Sequence, residues 1–135
     1  MTVRKEDYAT LASFRKSLRR FLRFAEEGAK EFGVTPQQHQ VLLAIMGHTD
    51  RDWASIGELA DSLQLKPHAT VGLVNRCQAA GLVERSPDSH DRRIVRVTLS
   101  LKGAEILEGL TQRNLSELKA LARLTNELEA LSAAL

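Results

Sequence analysis

Scarcity marks this chain more than abundance does. One cysteine in 135 residues leaves no intrachain disulfide framework, which agrees with a reducing compartment. Aromatic residues make up only 4%, with a single tryptophan, and leucine and alanine dominate, so helix is favoured over sheet. No apolar run approaches the roughly 20 residues that span a bilayer. The opening MTVRKEDYATL lacks the apolar heart of a signal peptide. Both absences point to a cytoplasmic protein with no membrane partner. No Ser/His/Asp set, glycine-rich phosphate loop or carboxylate pair stands out, and His39, His48, His68 and His90 lack ligand spacing. The sequence therefore offers no sign of an enzyme, a metal site or a cofactor.

Net charge is scarce too, at +2, but it is unevenly placed. Residues 1–24 carry +5, 25–63 carry −5, 64–96 carry +3 and 97–135 carry −1. Two basic zones in a nearly neutral chain suggest a localised anionic partner. With 43% hydrophobic and 27% charged residues, the chain has the make-up of one globular domain over 1–135.

The punctuation predicts mostly helices. A first helix over Tyr8 to Phe32 places Leu11, Phe14, Leu18, Phe21, Leu22 and Ala25 on one side. Arg15, Arg19, Arg23, Lys16 and Arg20 form rows opposite them and read first as a solvated face. Thr35 as N-cap, Pro36 at N1 and Gln38 at N3 open a second helix, with Val41, Leu42, Ile45 and Met46 as its buried face and Gly47 closing it. His48 to Trp53 reads as a loop with Trp53 anchoring it to the core. Ser55 and Glu58 form a second capping box. The helix they open is followed by a tight turn at Gln64 and Leu65, and by a helix from Pro67 to about Ala80 with Gly81 as its C′ residue. Two short helices so joined match a helix-turn-helix over about 55–80. Leu82 to Ser86 and the alternating Val95, Val97 and Leu99 make a hairpin over 82–99 whose polar tip carries Arg92 and Arg93. Ser100 caps a last helix over 101–135, interrupted only by Gly103 and Gly109. Its Leu121, Leu124, Leu128, Leu131 and Leu135 step like a coiled-coil seam, which a second copy of the chain would cover.

This order, together with IGELADSLQLKPHATVGLVNRCQAAGLVER and DSHDRRIVRVTLSLKG, resembles the MarR family of winged helix-turn-helix transcription regulators. The family's wing carries an aspartate, one residue, an arginine, and later a Val-x-Leu-Thr segment. Here these are Asp91, Arg92, Arg93, and then Val97, Thr98, Leu99 and Ser100. The resemblance implies a mainly α (α+β) fold. Dimerisation helices at about 8–32 and 101–135 would flank a winged helix-turn-helix lobe over about 34–99. It implies a homodimeric regulator of a pseudo-palindromic operator in double-stranded DNA, most simply a repressor. A small lipophilic or aromatic effector, where one exists, would act between the dimer helices and the DNA-binding lobe.

On the helix after Pro67, Thr70, Leu73, Val74 and Cys77 recur at core spacing. The opposite face presents His68, Gly72, Asn75 and Arg76, flanked by Ala69 and Val71, and a recognition helix would turn it to the major groove. Lys66 suits a phosphate or a guanine edge. His68 and Asn75 suit bases or backbone, the methyl groups of Ala69 and Val71 suit thymine, and Arg76 suits phosphate. Arg92 and Arg93 suit a narrow minor groove, and the resemblance implies that Asp91 orients Arg93. Two positions depart from the family: Lys66 stands where a Ser or Thr cap is common, and Gly72 where a polar reader is common. Cys77 reads as a packed thiol. Two rival readings stay open: a winged helix used for protein interaction, and a redox- or metal-responsive regulator.

Overall fold

A computed structural model describes residues 2–134, with side chains at all of these except 124, 125, 127, 128 and 131–134. The elements in chain order are α1 (Lys5–Glu31), α2 (Pro36–Met46), β1 (Trp53–Ala54), α3 (Ile56–Leu63), α4 (Pro67–Ala79), β2 (Val83–Pro87), β3 (Val95–Leu99) and α5 (Leu101–Ala134). The chain divides into two compact units, Ala29–Gly109 and Met1–Gly28 with Leu110–Leu135.

The helix starts of the first unit follow from local chemistry. Gln38 N–H donates to Thr35 Oγ1 (3.1 Å), and Thr35 N–H donates to Gln38 Oε1 (2.9 Å). Ser55 and Glu58 repeat this exchange at α3, at 3.2 and 3.0 Å. Each box satisfies two amides that a helix end would otherwise leave unpaired. Helices α2, α3 and α4 pack on one another and on the sheet, enclosing Leu42, Ile45, Leu59, Val74, Cys77 and Val97, all essentially inaccessible. Truncating such a leucine to alanine costs about 2–5 kcal/mol. The expected buried face of α2 needs one correction, because Met46, its last residue, is 41% exposed. His39, one turn before Leu42, takes a buried place instead, and burial lowers its pKa by disfavouring the charged ring.

The sheet is antiparallel, in the order β1-β3-β2. Val83 pairs with Leu99, Arg85 with Val97 and Pro87 with Val95. The segment expected as a loop ends in a short strand, with Trp53 opposite Thr98 and Ala54 opposite Val97. Two residues carry no readable alternation, yet pairing them covers the otherwise open edge of β3. Val95, expected on the half-buried face, is 38% exposed near the outer end of the ribbon.

The end of α4 is fastened to the start of α5. Gly81 adopts φ +75°, Leu82 N–H donates to Cys77 O (2.9 Å) and Gly81 N–H to Gln78 O (2.9 Å), the pattern of a Schellman cap. Ser100 N–H donates to Leu82 O (2.9 Å), Ser100 Oγ to Gly81 O (2.6 Å) and Lys102 Nζ to Ala80 O (2.9 Å). Ser100 Oγ also accepts from Gly103 N–H (3.0 Å), which makes it the N-cap of α5. A Cβ at Gly103 would lie 2.1 Å from Leu82 O, so Gly103 permits a close approach rather than interrupting the helix.

In the second unit, Arg113 Nη1 donates to Phe24 O (2.6 Å) and its guanidinium lies 3.8 Å from the Phe24 ring centre, joining the two helical segments. Phe14, Leu18, Phe21 and Ala25 are half-buried, while Leu11 and Leu22 from the expected apolar side are 58% and 49% exposed. Leu121 of the expected seam is half-buried. The side chains of Leu124, Leu128 and Leu131, and all of Leu135, lie outside the described residues. Among the described residues no helix is long and apolar enough to cross a membrane.

Candidate nucleic-acid interface

The turn between α3 and α4 is built by a non-glycine residue in the left-handed region. Gln64 has φ +56°, and its side-chain Nε2 donates to Asp61 O (2.7 Å) while Leu65 N–H reaches Ala60 O (2.9 Å). That closure satisfies the last carbonyls of α3 and turns the chain sharply into Lys66 and Pro67. Lys66 is the N-cap of α4 and makes no side-chain cap hydrogen bond, so both its ammonium and the first-turn amides of α4 are left for an outside acceptor.

The faces of α4 lie as its spacing predicts. Thr70, Leu73, Val74 and Cys77 are buried. Thr70 Oγ1 donates to Lys66 O (3.0 Å), which satisfies its buried hydroxyl. Lys66, His68, Ala69, Val71, Asn75 and Arg76 are exposed and Gly72 is half-exposed. A Cβ at Gly72 would meet only Arg76 Nη1, at 3.6 Å, so open space surrounds it. Burial pushes the Cys77 thiol up to about 11 against an opposing pull from Arg76, so it stays protonated at neutral pH and is a poor nucleophile.

At the wing tip the carboxylates organise the loop. Asp88 Oδ2 accepts from the N–H groups of His90 and Asp91, each at 2.9 Å, and Asp88 Oδ1 accepts from Arg96 Nε at 2.6 Å. These bonds, that to Arg96 foremost, hold the Asp88 pKa down to about 2. Asp91 grips Arg93 as expected, accepting from its backbone N–H (3.0 Å), its Nε (3.0 Å) and its Nη2 (2.9 Å). The Arg93 side chain nonetheless remains 90% exposed. Arg92 is exposed and forms no ion pair among the described residues. The two arginines are thus unlike, one carrying an uncompensated charge and the other held beside a carboxylate.

The sequence reading missed the groups behind the wing. The Arg96 guanidinium lies 4.2 Å from the centre of the Trp53 ring, and that of Arg51 lies 4.3 Å from it. Arg51 in turn binds both carboxylate oxygens of Glu58, the capping residue of α3. That bond is the main reason the Glu58 pKa falls to about 2. Arg85 Nη1 donates to Gln78 Oε1 (2.6 Å), tying β2 to α4. A signal was present: Arg96 occupies the polar side of an alternating strand, and Trp53 is the expected anchor. Among the described residues no three His, Cys, Asp or Glu side chains are grouped to hold a metal ion.

Residues 32–94 match the MarR family. The chain is 33% identical over 108 residues to YsmB, an HTH-type transcriptional regulator of Bacillus subtilis, a match covering 76% of this chain and 72% of that protein. It is 36% identical over 80 residues to the transcriptional activatory protein BadR of Rhodopseudomonas palustris, covering 59% of this chain and 46% of that one. It is also 30% identical over 87 residues to the HTH-type transcriptional repressor MdtR of B. subtilis, covering 62% and 54%. The chain therefore spans about half the length of BadR and of MdtR. Among solved structures, a mutant MarR of E. coli complexed with operator DNA shares the fold at a TM-score of 0.70. It is 24% identical, and the match covers 99% of this chain and 98% of that one. Matched in sequence across its helix-turn-helix and wing, and in fold over nearly its whole length, the chain belongs to the MarR family of winged helix-turn-helix transcriptional regulators, which are not enzymes.

Proposed function

We propose that this protein binds duplex DNA as a cytoplasmic homodimer at a pseudo-palindromic operator and regulates transcription there. In this reading the helices at about 8–32 and 101–135 serve dimerisation around the lobe at about 34–99. The observation that carries the reading is the pairing, within one compact unit, of an exposed polar face on α4 with a hairpin whose tip holds the uncompensated Arg92. Lys66, His68, Ala69, Val71, Gly72, Asn75 and Arg76 enter the major groove. Arg92 enters the adjacent minor groove, where phosphates crowd and negative potential is focused. Asp91 holds Arg93 at the groove's edge. Two copies place their recognition helices about 34 Å apart, one turn of DNA.

Operator occupancy alone can block a polymerase, so repression is the simplest sign of regulation, with a small lipophilic or aromatic effector as the releasing agent. The named relatives include both an activator and a repressor. The buried, strongly protonated Cys77 argues against redox control.

The test is fluorescence anisotropy with a labelled duplex from the gene's own upstream region against a scrambled duplex, over a salt series. Preferential binding that weakens steeply with salt, and falls on Arg92→Ala and on Arg93→Ala, supports the reading. Equal and weak binding to both duplexes, unmoved by either substitution, sinks it for that DNA and favours a protein partner.

A further inference from the structure

Duplex contact, as proposed above, requires the wing to be held at a fixed angle to α4, and apolar packing supplies little of that hold. Of the residues in β2 and β3 only Val83 and Val97 are buried, whereas Ile94 and Val95 toward the tip are 37% and 38% exposed. A two-stranded ribbon is marginal by itself. What ties it down is a row of polar and aromatic groups: Glu58, Arg51, Trp53, Arg96 and Asp88. Trp53 faces Thr98 across the β1–β3 ladder, which places Arg96 at the diagonal position on the same side of the sheet. The two guanidinium groups lie 4.3 and 4.2 Å from the ring centre, each neutralised by its own carboxylate, so both cations can share one ring without repelling strongly. Arg51 Nε is buried with no hydrogen-bond acceptor among the described residues, and its guanidinium carbon lies over the Trp53 ring.

We propose that Trp53 is the positioning residue of the wing: in contact with the guanidinium groups of both Arg51 and Arg96, it couples the N-cap of the helix-turn-helix to the tip loop that carries Arg92. The row begins at Glu58, which caps α3 through Ser55, and ends at Asp88, which fixes the backbone of His90 and Asp91 just before the tip. Orientation thus passes from the rigid helical core to the arginine through one aromatic ring.

The experiment combines duplex affinity with hydrogen exchange, so that failure of the DNA reading and failure of this proposal separate. Trp53→Leu keeps apolar bulk and removes the indole face. It is expected to leave far-UV circular dichroism unchanged and weaken operator binding about tenfold. In that background Arg92→Ala should cost less than twofold, because the arginine is no longer aimed. The two losses should therefore not add. Trp53→Tyr should recover most of the affinity. Independently of DNA, Trp53→Leu and Arg96→Gln should each speed exchange at the Asp88 and Ile94 amides several-fold, since these amides close the tip. Unchanged exchange in both variants overturns the proposal. So does a full, additive effect of Arg92→Ala in the Trp53→Leu protein. Faster exchange in a protein that binds no duplex at all would keep the clamp and discard the DNA reading.

Discussion

Gly72 sits in the middle of α4 with nothing around its missing Cβ except Arg76 Nη1. Glycine inside a helix costs about 1 kcal/mol relative to alanine, so Gly72→Ala should raise the thermal midpoint by a few degrees. On the proposed interface the same methyl group would stand between the helix and a base edge. Operator affinity should therefore fall while stability rises; a stabilised variant with unchanged affinity would deny Gly72 any part in contact. Cys77 supports a second expectation. Its thiol is pushed up to about 11, so at pH 8 the native protein should react slowly with a thiol reagent, and quickly once unfolded in urea. The folded state holds the proton more tightly than the unfolded state, whose thiol titrates near 9.0. The stabilisation is full below pH 9 and drains away as pH rises toward 11. Equal labelling rates with and without urea would show that the site is open.

At the scale of the elements, the wing should be insensitive to pH near neutrality. Glu58 and Asp88 have folded values of about 2 against ordinary values of 4.5 and 3.8. Lowered carboxylate values stabilise above the unfolded pKa and lose that effect as pH falls through the folded one. Emission from Trp53, the single tryptophan, should be flat from pH 8 to 5 and change only below about 4.5; a shift between 6 and 7 would contradict the assignment. Most elements were legible because their signals are local. Thr35 with Gln38, Ser55 with Glu58, and Pro67 with Gly81 mark helix ends within a few residues of chain. The core side of α4 was legible from period alone. What was not legible depends on partners distant in sequence. Strand β1 exists only because β3 offers an edge, and Arg96 meets Trp53 across more than forty residues. The ending of α2 shows the limit of period itself: Met46 continues the apolar row but lies where the core has stopped. Of the candidate interface, the exposed face of α4 was readable from period and the Asp91–Arg93 pair from the family resemblance, while the difference between Arg92 and Arg93 depends on how the folded loop places Asp91.

For the whole molecule, apolar side chains remain uncovered on the helical unit formed by the chain ends. Leu11 and Leu22 are 58% and 49% exposed, and Leu115 and Leu118 are both 46% exposed. Exposed leucines on both helical segments of one unit fit an association surface. Sedimentation equilibrium should return twice the 15.0 kDa chain mass at micromolar concentration. Leu115→Arg with Leu118→Arg should return the single mass and bind a full pseudo-palindrome no better than a half-site. A monomeric wild type would remove the basis for two-fold operator recognition.

The tip at Arg92 and Arg93 is exposed and dibasic, the kind of site trypsin seeks, yet its backbone is not free to enter a protease cleft. Asp88 and Asp91 hold the amides of His90, Asp91 and Arg93, and Asp88 and Ile94 close the loop across its base. Cleavage must wait until those bonds open, so the nicking rate counts how often the wing lets go. Asp88→Asn should be cut there faster than wild type, and a bound duplex should slow both. The wing then carries its own clock, readable on a gel without any label.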